Sequence, residues 1–116
     1  INRKQHDGEG EPVAAGTGRK SDQLPAVYAY KPVPDKVMDL NVKKHYAGVQ
    51  ATFWTEHVSD INYFKYLAYP RLLAVAEAAW SPEEKKDFED FRTRFTADTM
   101  LFDLTGRLYG KHFIAK

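Results

Sequence analysis

The residues with the clearest chemical potential in this 116-residue chain are Trp54, Thr55 and Glu56, at the end of the apolar run Gly48 to Trp54. Charged residues seldom close a buried strand without a task, and in parallel α/β sheets the strand tip is where ligands bind. A Trp face with a carboxylate two residues on suits a sugar. The ring packs on the apolar face of a pyranose, and the carboxylate accepts hydrogen bonds from two hydroxyls. A plainer reading stands beside it: Trp54 fills core, and Glu56 caps the next helix or pairs with Arg71. The other candidates are weaker. His6, His45, His57 and His112 lack the i, i+4 spacing of a helical metal pair, and no Asp or Glu completes a ligand triad. Gly8, Gly10, Gly16 and Gly18 follow no strand and precede no Gly-Lys-Ser/Thr, so they form no phosphate loop. Ser21, Ser59 and Ser81 lack the elbow sequence of a serine nucleophile. Glu56 and Asp60 are close in sequence, but nothing nearby would protonate one and ionise the other at neutral pH.

Composition bounds what positions these residues. Lys and Arg total 17 against 16 Asp and Glu, a net charge of +1, so there is no general electrostatic call for nucleic acid or an anionic membrane. Seven Phe, 7 Tyr and 2 Trp argue against disorder and supply core material for one domain. Cysteine is absent, which removes disulfides and thiolate chemistry. No apolar run nears the roughly 20 residues that span a bilayer, and Ile1 to Lys4 does not read as a signal peptide. The Ile start is expected of a mature or cut chain.

Residues 1–26 are expected to be a flexible loop rich in glycine and charge. Val27 to Tyr30 begins like a strand and runs into the extended Lys31-Pro32-Val33-Pro34. Asp35 is the expected cap of a short helix toward His45. Gly48 to Trp54 has the length and composition of a buried parallel strand. Ser59 or Asp60 then caps a helix through Ile61, Phe64, Ala68, Leu72, Val75 and Ala79, broken near Tyr69 by Pro70 and buried on several sides from Leu72 to Trp80. Ser81-Pro82-Glu83-Glu84 reads as a capping box opening a helix through Phe88, Phe91 and Phe95. A last amphipathic segment, Met100 to Tyr109, stops at Gly110. One buried-type strand cannot make a sheet alone, so the pattern implies neighbours that the chain does not supply.

From Val27 onward the chain resembles the C-terminal end of the catalytic barrel of family 20 glycoside hydrolases, the β-N-acetylhexosaminidases. The resemblance rests on Val27 to Pro34, on Gly48-Val49-Gln50-Ala51-Thr52-Phe53-Trp54-Thr55-Glu56, and on Tyr69-Pro70-Arg71 through Trp80-Ser81-Pro82, in that order. It implies an α/β fold: the last strand and helix of a (β/α)8 barrel plus C-terminal helices, the chain alone being mainly helical with an incomplete sheet. Residues 27–116 form that C-terminal segment. The barrel runs to about 250 residues, so the chain is expected to be part of a longer catalytic domain.

The resemblance assigns substrate contacts to Trp54, as a wall of the terminal N-acetylhexosamine pocket, and to Glu56, as acceptor for sugar hydroxyls away from the scissile bond. Arg71, Glu77 and Trp80 are then packing and ion-pair residues. The family's catalytic Asp-Glu pair, its His-x-Gly-Gly element and its upstream Arg have no counterpart here; the chain contains no Asp-Glu dipeptide, and Glu83-Glu84 and Glu89-Asp90 fall on a solvated helix. The expected activity is therefore that of a parent enzyme removing terminal GlcNAc or GalNAc, with this chain inactive alone. No metal and no cofactor is implied. The partners implied are N-acetylhexosamine glycans and the rest of the parent domain, with self-association of the isolated chain and no nucleic acid. Export to the periplasm, cell surface or medium follows from the resemblance alone. From a different class, a non-catalytic carbohydrate-binding or interaction module is the alternative.

Overall fold

The structure is a computed structural model that describes residues 23–55, 58–106 and 108–114. The described residues form helices α1 (Leu24–Tyr28), α2 (Leu40–Lys43), α3 (Ile61–Ala68), α4 (Arg71–Trp80) and α5 (Phe88–Leu104). Short 3-10 turns lie at Glu83–Lys85 and Lys111–Phe113. Among the described residues there is no strand.

The expected strand start at Val27 is instead the end of α1. Pro25 lies in the first helical turn, where its missing N–H costs nothing, and Leu24, Val27 and Tyr28 share one buried face. That face packs on Ala74 of α4 and Phe91 of α5. The expected boundary between 26 and 27 falls inside α1, while residues 1–22 lie outside the described residues. The helix expected from Asp35 is also displaced. Lys31 Nζ holds the Asp35 carboxylate at 3.0 Å, and Asp39 caps α2 by accepting from the Asn41 N–H at 2.7 Å.

Downstream, α3 begins where expected. Asp60 Oδ1 accepts from the N–H groups of Asn62 and Tyr63, both at 2.9 Å, and Ser59 Oγ donates to Asp60 Oδ2 at 2.7 Å. These donors hold the Asp60 carboxyl below its usual range, the Tyr63 N–H first. Pro70 then separates α3 from α4, as its missing N–H requires. Burial on α4 is a single stripe, Arg71, Ala74 and Ala78. Trp80 lies off that stripe and is 88% exposed, so the expected burial on several sides does not extend to it.

The capping box does not form. Pro82 keeps Ser81 extended, as residues before proline tend to be, and Ser81 ends α4 with its N–H on Glu77 O at 2.9 Å. Asp87 caps the next helix instead, its Oδ1 accepting from Glu89 and Asp90 N–H at 2.9 and 3.0 Å. Helix α5 then runs on through Met100, where a separate last segment is expected to begin. Thr93 and Thr96 donate to the carbonyls of Glu89 and Arg92 at 2.9 and 2.8 Å, which absorbs their hydroxyls on the helix itself. The helix ends at Thr105, and Gly106, with φ 62°, turns the chain back well before Gly110. The return places Tyr109 edge-on to Phe95 and Phe102, with centroids 5.7 and 5.6 Å apart, as a second small core.

Candidate functional site

The run Gly48 to Trp54 is expected to be a buried parallel strand; here it has no ladder and is not buried, its exposure alternating residue by residue. Val49, Ala51 and Phe53 are half-buried, whereas Gly48, Gln50, Thr52 and Trp54 are exposed. A period of 2 is the signature of an extended chain with one covered and one open face. The covered face is fixed by Phe53, whose ring lies 4.6 Å from that of Phe64 on α3. The missing ladder has a physical cause in topology: parallel strands pair with neighbours in a sheet, and the described residues offer none. Among the described residues the incomplete sheet expected from the sequence is therefore not seen.

Trp54 ends this run on the open face, 64% exposed. Immediately after it the chain turns, the Val58 N–H donating to Thr55 O at 3.0 Å, and Asp60 opens α3. At that exposure Trp54 does not fill core in this structure, against the core-filling reading. Glu56 and His57 lie outside the described residues, as does His6. Asp60, the other carboxylate near this corner, is occupied by its capping bonds and held ionised, so it has no proton to give as a general acid near neutral pH. His45 is exposed beyond α2, and the His112 ring lies against Phe113 with centroids 4.0 Å apart. Among the described residues no three His, Asp or Glu side chains gather as metal ligands, and no helix is long and apolar enough to cross a membrane.

A polar cluster of the described residues lies elsewhere, between helices. Tyr28 on α1 donates its hydroxyl to Glu77 Oε1 at 2.7 Å. Arg94 Nη2 on α5 donates to both Glu77 oxygens at 2.8 Å, and Arg94 Nε reaches Asp90 Oδ2 at 2.7 Å. The arrangement ties α1, α4 and α5 together as a structural clamp. Glu77 and Arg94 lie 17 residues apart, so only the i, i+4 pair Asp90–Arg94 is legible in the sequence. Burial first, then the Glu77 carboxylate, pushes the Tyr28 phenol up to about 12. The folded state therefore favours the protonated phenol. Its contribution to stability is complete below the ordinary tyrosine pKa and is lost as pH rises through about 12. Tyr28→Phe is expected to remove that part of the alkaline loss between the two pH values; equal unfolding midpoints of wild type and variant across the window, on a common offset, would contradict it.

Arg71 is wholly buried at the start of α4. Its Nε and Nη2 donate to Leu67 O at 3.0 and 2.6 Å, which satisfies a carbonyl freed at the end of α3 and locks the two helices across Pro70. Helix α3 also carries Phe64, whose ring meets Phe53 of the 48–54 run.

Comparisons with known proteins bear on the same segment. Residues 2–83 match the family described as glycosyl hydrolase family 20, catalytic domain; the match includes Trp54 and Glu56 and ends before α5. A β-hexosaminidase of Porphyromonas gingivalis is 39% identical over 109 residues, 94% of this chain and 14% of that protein. A β-hexosaminidase of Akkermansia muciniphila is 46% identical over 50 residues, covering 43% of this chain and 10% of its own length. In three dimensions the chain is similar to a β-N-acetylhexosaminidase of the same family from Streptomyces coelicolor, with a TM-score of 0.73 at 22% identity, over 95% of this chain and 21% of that one. The chain thus spans about a seventh of the length of the Porphyromonas relative.

Proposed function

The chain belongs to glycosyl hydrolase family 20, and from that premise we propose that it is the C-terminal part of a catalytic barrel that removes terminal, non-reducing N-acetylhexosamine. In this reading Gly48 to Trp54 is the last barrel strand and α3 with α4 the helix that follows it. The observation that carries it is the open face of that run: an exposed Trp54 at its end, inside the matched residues, with the opposite face held on α3 by Phe53. Trp54 walls the pocket for the terminal sugar, and Glu56 accepts hydrogen bonds from hydroxyls remote from the scissile bond. The ring meets the C–H face of the sugar and the carboxylate its polar edge, which together fix its orientation.

The chemistry itself belongs to groups outside this chain. The reading takes the reaction as retaining and substrate-assisted. The acetamide oxygen of the substrate attacks the anomeric carbon while an Asp orients the acetamide and a neighbouring Glu protonates the leaving oxygen, a departure from the two-carboxylate nucleophile scheme. Since the chain has no Asp-Glu dipeptide, both residues come from the remainder of the parent domain. The reading includes export, which rests on the family resemblance alone.

One assay separates the parts of the proposal. The intact protein carrying this segment is expected to release nitrophenol from a nitrophenyl N-acetyl-β-glucosaminide, and the 116-residue chain alone none above buffer. The isolated chain is also expected to self-associate, because Met100, Leu101 and Leu104 are exposed along α5 and the 48–54 run has an open edge. Turnover by the isolated chain that depends on Glu56 would overturn the division of labour.

A further inference from the structure

Resting on that reading for the class of ligand, we propose that the groove between α4 and α5 is a second glycan-binding site, in which Trp80 stacks on a neutral pyranose other than the terminal sugar. The groove has a volume of about 330 Å³, within the range of small-molecule sites. Phe91 and Phe95, both nearly fully buried, lie at its floor, and Leu73 and Ala76 line its α4 side. Trp80 ends α4 at the groove's edge. The family resemblance makes it a packing residue, yet it is 88% exposed. An indole left open beside an apolar floor is a ready stacking platform.

Charge complementarity selects a neutral, hydroxyl-bearing occupant. Arg94 lines the groove from α5, but Glu77 and Asp90 already meet its charge, so an anion finds no unbalanced cation there. Among the described residues the bonds of Arg94 run through Nε and Nη2, which leaves the N–H groups of Nη1 to donate to a ligand. Asp98, exposed one turn further along α5, stands outside the clamp and offers an acceptor. Side chains four apart on a helix start about 5–6 Å from each other. A donor and an acceptor at that spacing beside an aromatic face match a pyranose, whose hydroxyls both donate and accept and whose C–H face is apolar. Position keeps the groove apart from the candidate pocket. Val75 of α4 lines a separate groove with residues 48–52. Trp80 follows five residues later, about 140° around a helix of roughly 3.6 residues per turn. It therefore stands on the far side of α4 from that run.

The test is the affinity of the intact protein for chitin beads, comparing wild type with Trp80→Ala, Trp80→Phe, Asp98→Ala and Trp54→Ala. Trp80→Ala is expected to weaken binding about tenfold, the loss of a stacking platform, and Asp98→Ala about fivefold, the loss of one hydrogen bond. Trp80→Phe keeps a smaller ring and falls between wild type and Trp80→Ala. Both side chains are exposed, so the substitutions remove little of the core, and the Asp98 variant decides the matter even if Trp80→Ala fails to fold. Variants at both positions that bind as wild type does, or a wild type that the beads do not retain, would overturn the proposal. Binding lost in Trp54→Ala and kept in Trp80→Ala would place the chitin in the terminal pocket alone and overturn it too. So would a dimer in light scattering that Trp80→Ala dissociates, which assigns the groove to a second copy. Hydrolysis of a nitrophenyl N-acetyl-β-glucosaminide by the wild type reads the functional assignment separately: its absence overturns that reading, while binding by the variants decides the groove in either case.

Discussion

Trp54→Ala in the intact enzyme is expected to lower kcat/KM for a nitrophenyl N-acetyl-β-glucosaminide about 100-fold. Truncating an aromatic anchor at the centre of a binding site costs about 2–4 kcal/mol, and about 2.7 kcal/mol corresponds to a factor of 100. The loss has two origins. The sugar gives up the ring on which its C–H face packs, and water enters beside the hydroxyls that Glu56 receives, weakening those hydrogen bonds as well. Most of the effect falls on KM, because the ring contacts the sugar in the ground state as well as in the transition state. Trp54→Phe, which keeps a smaller aromatic face, is expected to recover part of the loss. The thermal midpoint of the Ala variant stays close to wild type, since Trp54 is largely exposed and covers little of the core. A kcat/KM within twofold of wild type would remove Trp54 from the pocket.

The second large effect is on stability. Arg71→Ala is expected to destabilise the protein by about 3–5 kcal/mol, a large share of the roughly 5–15 kcal/mol that holds a typical domain together. Arg71 is wholly buried, and its removal leaves a cavity the length of its side chain at the junction of α3 and α4. It also strips the Leu67 carbonyl of the Nε and Nη2 donors that reach it. Arg71→Lys is expected to rescue little, because one ammonium cannot reproduce the two-pronged contact of a planar guanidinium. Urea unfolding of the intact enzyme reads both variants. Full recovery by Lys, or an Ala variant within 1 kcal/mol of wild type (on the order of an ordinary surface change), would show that the buried guanidinium is not the lock between the two helices.

What the sequence made legible is what depends on local order. The helix start at Asp60 was legible because it needs only a capping residue ahead of an apolar period. The break at Pro70 was legible because proline acts through its own backbone. What escaped depends on residues far apart in the chain. Val27 to Tyr30 has strand-like composition, yet Leu24, Val27 and Tyr28 meet Ala74 and Phe91 only when wound as a helix. Ser81 has the sequence of a cap and loses to Asp87, because Pro82 holds Ser81 extended as the end of α4. The Glu77–Arg94 clamp joins residues on different helices and leaves no periodic trace. The 48–54 run lies between these cases. Its alternation is a property of the chain and is present here, whereas a ladder belongs to a sheet and needs neighbours.

That distinction points to the most direct measurement: a crystal structure of the intact protein with N-acetylglucosamine bound. The expected result has residues 48–54 hydrogen-bonded as a strand inside a closed barrel, the Trp54 ring against the sugar's apolar face, and the Glu56 carboxylate on its hydroxyls. A sugar bound away from Trp54, or a 48–54 run that stays outside the sheet, would contradict the account.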